Sequence, residues 1–344
     1  MLAFHDPEEA LHAPRFFLMR GALCANYEVP ARAAALREGL AGLGITAVAV
    51  RPAEEAALAV VHARDYLAYL REAHTGWAAL HGAGPEVVAN MHPSPEMLAQ
   101  GASFPAHPVA AAGRFMADTA CPIGPGTWRA VLGAAGAALA AAESAAQGRC
   151  AYALCRPPGH HAYAARAGGH CYVNNSALAA ERLRALGAAR VAVLDIDSHH
   201  GNGTQGIFWE RPDVLTVSVH GDPRGYYPWF VGHAGERGGG LGAGCNRNLP
   251  VTLGGGDGEW LDALGEAVAE IARFQPDAMV LALGFDASEH EPLAALKVTR
   301  EGFARAAAMI AALRLPTAIC QEGGYAVAHL GDLLGAFLGA WGDA

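Results

Sequence analysis

The run from Val191 to Gly203, Val-Ala-Val-Leu-Asp-Ile-Asp-Ser-His-His-Gly-Asn-Gly, constrains this chain more than any other. Its apolar start reads as a strand buried on both faces, the mark of a parallel sheet covered by helices. Its second half delivers Asp195, Asp197, His199 and His200 to the carboxyl end of that strand. Open α/β sheets bind ligands along that edge. A carboxylate and an imidazole two residues apart suit a divalent metal such as zinc.

Further short apolar runs predict strands at Ile45–Val50, Ala151–Leu154, Leu215–Val219, Ala278–Leu283 and Thr317–Cys320. Helical stretches fall between many of them, at Ala31–Leu43, Ser176–Leu186, Glu259–Phe274 and Arg300–Ala312. This alternation predicts an α/β protein with a parallel sheet covered on both faces. No internal repeat or polar linker interrupts residues 1–344, so they read as a single domain. The segment 82–126 is rich in Pro and Gly and reads as an irregular insertion. A connection that long is usually functional or part of an interface.

The formal charge of −9 and the lack of Lys/Arg runs argue against nucleic-acid binding. The Ala/Gly run from Ala130 to Gly148 contains Glu143 and Ser144 and reads as a packed helix, not a membrane span. The first residues lack the basic and apolar regions of a signal peptide. Seven cysteines, an odd number without a CxxC pair, suit free thiols in a reducing cytoplasm.

Other predicted strand ends also present chemistry. Cys155-Arg-Pro-Pro-Gly-His160-His161 holds two imidazoles on a stiff turn, Gly284-Phe-Asp286 brings a carboxylate, and Gln321-Glu-Gly-Gly-Tyr325 brings a phenol. His220-Gly-Asp-Pro reads as a turn. Asp197, His199 and Asp286 make three metal ligands and leave a position open for water, as a catalytic zinc site requires. A metal there would acidify that water and polarise a carbonyl. The paired imidazoles would move protons, and the Tyr hydroxyl would donate to a developing oxyanion. This is equipment for amide hydrolysis.

These motifs, with Gly168-Gly-His-Cys-Tyr-Val-Asn-Asn175 and Ser218-Val-His-Gly-Asp-Pro223, resemble the histone deacetylase superfamily. The likeness is nearest to its bacterial acetylpolyamine and histone deacetylase-like amidohydrolases. It runs along the whole chain and implies a three-layer α/β/α domain with a central eight-stranded parallel sheet, the arginase/deacetylase fold. It implies a Zn2+ site at Asp197, His199 and Asp286, which Fe2+, Mn2+ or Co2+ could also occupy. His160 and His161 match the paired catalytic histidines, with His161 as general base and acid. Asp195 would buttress His160. Asn202 stands beside His161 where some relatives carry Asp, so His161 is expected to ionise less readily. Tyr325 matches the carbonyl-polarising Tyr. The resemblance also implies a structural K+ at Asp195, Asp197, His199, Ser218 and Val219, and part of a second monovalent site at Phe208, Arg211 and Val214. Arg32 matches an Arg near an internal product channel.

Gly169, His170 and Tyr227 fall at the positions of a substrate tunnel. His170 replaces a usual aromatic residue and could carry charge. Residues 113–128 resemble a dimerisation loop, in which Asp118 matches an amine-recognising acid. A second such acid is missing near Val109. The expected function is metal-dependent removal of an acetyl or other short acyl group from a small primary amine, such as an acetylpolyamine, by a cytoplasmic homodimer. The alternatives are an acetyl-lysine protein deacetylase, an arginase-like ureohydrolase and a non-catalytic binding protein. A ureohydrolase would need more acidic ligands to bridge two metals. A binding protein should have lost a ligand, the Tyr or a catalytic His.

Overall fold

A computed structural model describes residues 1–293 and 295–343. Its strands in chain order are β1 (Leu2–His5), the hairpin pair β2 (Phe16–Met19) and β3 (Ala22–Ala25), and β4 (Val48–Ala49). Then follow β5 (Cys150–Ala153), β6 (Val191–Asp195), β7 (Val214–Gly221), β8 (Asn246–Val251), β9 (Ala278–Leu283) and β10 (Thr317–Gln321). Eight of them form one parallel sheet in the order β4-β1-β5-β10-β9-β6-β7-β8. The predicted α/β/α architecture is therefore observed.

Strand alternation sorts the side chains between two unlike layers. On one face Leu154, Leu194, Met279, Leu281, Leu283 and Ile319 pack against the helices Ala31–Gly42, Asp257–Phe274, Arg300–Ala311 and Val327–Asp343. On the other face the strands present mostly small groups, Ala151, Ala153, Cys155, Ala318 and Cys320. These receive the helices Thr127–Ala145 and Asn175–Ala185, whose inward positions are largely alanine. Alanine is the best helix former and lets helix and sheet approach closely. The Ala-rich run is thus a buried layer of the domain, as read from the sequence.

Several expectations need correction. The run Ile45–Val50 pairs only over Val48–Ala49, at the edge of the sheet. The His220-Gly segment is not a turn, because β7 continues to Gly221 and pairs His220 with Pro250 of β8. The segment 82–126 contains two short helices, Pro95–Ala99 and Pro108–Phe115. Phe115 and Met116 are buried in this chain's own third core, with Tyr66, Tyr69 and Trp77, whereas Met91, Met97, Leu98 and Phe104 are exposed.

Candidate active site

Parallel strands place all their carboxyl ends on one edge, so β5, β6, β9 and β10 supply one site from four distant parts of the chain. β6 ends in Asp195 and continues through Asp197 and His199. β9 is followed by Asp286. Ligand atoms of Asp197, His199 and Asp286 lie within 4.8 Å of one another, and all three residues are buried. His199 Nδ1 is 2.9 Å from Asp286 Oδ2 and 3.1 Å from Asp197 Oδ1. Backbone donors orient both carboxylates: Ser198 N–H to Asp286 Oδ1 (2.7 Å) and Gly323 N–H to Asp197 Oδ2 (2.8 Å). Residue 323 is glycine for a steric reason, since a Cβ there would lie 2.6 Å from Asp197 Oδ2 and still nearer Asp286 Oδ2. Two buried carboxylates turned toward one imidazole repel each other unless a cation joins them. Burial and the Asp197 charge accordingly push the Asp286 carboxyl up. This donor set fits a divalent metal.

The paired histidines follow β5. Glu322 accepts the N–H groups of Gly159 (2.6 Å) and His160 (3.1 Å) and the Ser176 hydroxyl (3.0 Å). Asn174 donates to Ala162 O while capping the next helix. The His rings lie with centroids 4.0 Å apart. His160 Nδ1 is 2.8 Å from Asp195 Oδ2, and its Nε2 is 3.7 Å from Asp197 Oδ1. Burial opposes a charge on His160, but the Asp195 and Asp197 carboxylates outweigh it and hold the imidazolium well above the usual range. His161 Nδ1 is 2.6 Å from Asn202 Oδ1. That carbonyl oxygen can only accept, so Nδ1 carries hydrogen and Nε2 is left as the base. Burial first, then the neighbouring His160 and His199, keeps His161 well below its ordinary pKa. Burial is the main cause of this shift, and the Asn202 bond itself favours the cation.

Tyr325 follows β10. Its ring stands 5.6 Å from His170 and 6.5 Å from Tyr27, with the Arg32 guanidinium 4.9 Å from its centroid. Across the site Tyr227 meets His161 edge-on at 4.9 Å, and Tyr226 stacks on His199 at 4.5 Å. Gly169 adopts a left-handed φ of +51° against His161. His170 is buried, and burial lowers its pKa to about 4, so it does not offer the charge the sequence allowed. Asp118 lies in this wall, but it accepts from Tyr227 Oη (2.7 Å), Gly169 N (3.1 Å) and Ala120 N (2.8 Å). Arg32 is fully buried and committed to Glu28 (2.7 Å) and to the carbonyls of Glu322 and Gly324 (2.6 Å each). Ser218 stands beside Asp195 in the β6–β7 register, next to Val219, with its hydroxyl 2.8 Å from His220 Nδ1. Phe208 O accepts from Arg211 N (3.0 Å), just before Val214 opens β7.

Sequence reasoning passed over Glu28, Arg156, Glu291 and Tyr226, and gave Glu322 no role. Arg156 Nη2 donates to Glu28 Oε2 at 2.7 Å, forming a buried Arg32–Glu28–Arg156 triad. Glu28 lies ahead of the helix Ala31–Gly42, so its pair with Arg32 carries no helical spacing signal. Nothing local marks Tyr226 or Glu291.

Residues 26–340 match the histone deacetylase domain. The chain belongs to the histone deacetylase family. It is 44% identical to an acetylpolyamine amidohydrolase of Burkholderia pseudomallei, covering 99% of both chains. It is 40% identical to acetylpolyamine amidohydrolase 1 of Pseudomonas aeruginosa, over 96% of each. A solved acetylpolyamine aminohydrolase from Burkholderia pseudomallei superposes with a TM-score of 0.95 at 43% identity, covering 99% of this chain and 98% of that one. The HDA15 HD domain superposes at 0.81 with 27% identity. As a member of this family the chain is a metal-dependent deacetylase, and the ureohydrolase and non-catalytic readings fall away.

Proposed function

We propose that this deacetylase is a zinc amidohydrolase that releases acetate from small N-acetylated amines, acetylpolyamines first among them. The observation that supports it best is the convergence of Asp197, His199 and Asp286 beside the paired rings of His160 and His161. Zn2+ held by those three residues would supply Lewis acidity toward the amide carbonyl. His161 Nε2 takes the proton from the attacking water and returns it to the leaving amine. His160, kept cationic by Asp195, stabilises negative charge as it develops. The Tyr325 hydroxyl donates to the carbonyl oxygen. Gly169, His170 and Tyr227 line the approach, and Arg32 lies beneath Tyr325 on the side where acetate would leave.

The substrate class rests on relatives named for acetylpolyamines that match end to end. The histone deacetylase-like amidohydrolase of Pseudomonas aeruginosa aligns over only 61% of this chain. We further propose a homodimer in which the exposed Met91, Met97, Leu98 and Phe104 meet a second copy near the substrate entrance. Asp118 attracts a distal ammonium through the wall it shares with Tyr227. Structural K+ is assigned to the Asp195, Asp197, His199, Ser218 and Val219 group, with a second monovalent site at Phe208, Arg211 and Val214. The free thiols suit a cytoplasmic setting, and we propose no nucleic-acid or membrane partner.

The test is a turnover screen of N-acetylated diamines, their uncharged alkyl counterparts and acetyl-lysine peptides, with wild type and Asp118→Ala, alongside the mass in solution. Acetylated diamines should give the highest kcat/KM. A preference for acetyl-lysine in intact histones by a monomer would overturn the substrate reading while leaving the metal chemistry intact. Equal rates on charged and uncharged amines would remove Asp118 from it.

A further inference from the structure

Tyr325 stands on a backbone that has little to hold it from within. Gly323 and Gly324 precede it, and Gly324 has a φ of +120°. Glycines widen the range of conformations open to a loop, so a phenol that must meet a reacting carbonyl needs its peptide fixed from outside. Arg32 does this on one side, through the carbonyls of Glu322 and Gly324.

The other side belongs to Glu291. Its Oε1 accepts the backbone N–H of Tyr325 at 2.7 Å and of Ala326 at 2.8 Å. Glu291 is buried, with 4% of its surface exposed. Burial and the nearby Asp286 charge push its carboxyl up to about 7 against the pull of the two N–H groups. A buried carboxyl is unfavourable unless its bonds are needed, and an apolar side chain would fill the same space at lower cost. Glu291 also lies on the loop that carries the metal ligand Asp286. That loop is stitched inward through Glu291 N to Ser288 O (3.2 Å), Ser288 N to Phe285 O (3.1 Å) and Phe285 N to Gly323 O (3.0 Å). One residue further out, His290 stacks on His329 with centroids 3.8 Å apart and 13° between planes. The Glu291 carboxylate, the Phe285–Gly323 hydrogen bond and the His290–His329 stack thus tie the β9 loop to the segment that presents Tyr325.

We propose that Glu291 is a positioning residue for Tyr325, fixing the two peptides from which the phenol is presented so that its hydroxyl is aligned before substrate arrives. The inference rests on Tyr325 being the carbonyl-polarising group. Loss of the anchor should lower kcat more than it raises KM, because the alignment matters most as charge develops on the carbonyl oxygen.

The experiment is a double-mutant cycle of Glu291→Ala and Tyr325→Phe, read as kcat, KM, metal content and melting temperature. Tyr325→Phe alone should lower kcat by roughly 10²–10³-fold. Glu291→Ala should lower kcat by about 10–30-fold at unchanged metal content, and Glu291→Gln, which keeps the acceptor oxygen, should restore at least about a third of it. In the Tyr325→Phe background Glu291→Ala should cost less than about 3-fold more, because the hydroxyl it positions is gone. If Glu291→Ala does not fold, Glu291→Ser runs the same cycle, since serine is too short to span both N–H groups. Equal losses in both backgrounds, a loss confined to KM, or no loss would overturn the role of Glu291. An unimpaired Tyr325→Phe enzyme would instead overturn the reading of Tyr325, and the inference with it.

Discussion

Replacing Gly169 by alanine tests how tightly the backbone is built around the general base. A Cβ at this position would lie 2.9 Å from His161 Cγ, nearer still to Cδ2, and 3.0 Å from Tyr227 Oη. Neither neighbour can withdraw freely. The Tyr227 hydroxyl is tied to Asp118 at 2.7 Å, and the His161 ring is tied to Asn202 at 2.6 Å. Two costs follow. A non-glycine residue in the left-handed region loses about 1–2 kcal/mol, and forced overpacking adds roughly 1–3 kcal/mol. The ring displacement acts on catalysis separately, since a misplacement of about 1 Å can cost about 10²-fold. Gly169→Ala should therefore lower kcat by about 10²-fold, raise KM by far less and retain metal. Gly148→Ala is the control, because Gly148 has a φ of +81° and open space around its would-be Cβ. It should lose stability through backbone strain alone and keep wild-type kcat. The assay is steady-state turnover of an acetylated diamine, with melting temperature and metal content for each variant. A Gly169→Ala enzyme with kcat within twofold of wild type would refute the argument that His161 is held against the 169 backbone.

Three other outcomes are expected. Asp286→Ala should abolish turnover and lower bound metal, measured by elemental analysis; full metal with full activity would remove the site. His161→Ala should cost about 10²–10⁴-fold in kcat and more than His160→Ala, because only His161 is held neutral with a free Nε2; equal small losses would reverse that assignment. Stability should fall as the pH drops from about 6.5 to 4, as followed by melts across pH. Burial lowers His12 to about 3 and His62, His170 and His220 to about 4, and holds His161 and His200 well below the ordinary range, so the unfolded chain takes up their protons first and acid destabilises the fold. Burial raises Glu9, Glu291 and Glu322 to about 7, so there the folded chain takes up protons first. The lowered histidines outnumber the raised glutamates, so the net effect of acid is loss, and most of it is complete once His62, His170 and His220 titrate in the fold near pH 4. Stability unchanged between about pH 6.5 and 4 would show that these histidines are not held neutral in the fold.

Much of the site was legible because its residues are punctuated by the sheet. Buried parallel strands read as apolar runs, and a charged or aromatic residue immediately after such a run stands at the binding edge wherever the strand lies in sequence. Asp197, His199, Asp286, the His pair and Tyr325 were found in that way, and their convergence within one edge follows from the strands being parallel. Elements without a strong local pattern were missed. Leu2–His5 and Asn246–Val251 are short or half polar, and only neighbours already in the sheet make them strands.

What the sequence alone determined, then, was the chemistry at each strand end, since residue type and the two-residue period are local properties. The tertiary structure decided which states those groups adopt. His160 and His161 are adjacent and identical in kind, yet one is drawn to the imidazolium by Asp195 and the other kept neutral by burial and by its neighbour's charge. His170 looks able to carry charge until Phe17 and Tyr325 close around it. Glu291 is anonymous in sequence, and it and Arg32 meet the same loop from opposite sides only after folding. The physical reason is common to all of these cases. Ionisation and alignment depend on desolvation and on charges a few ångströms away, and those distances are set by contacts between segments far apart in the chain.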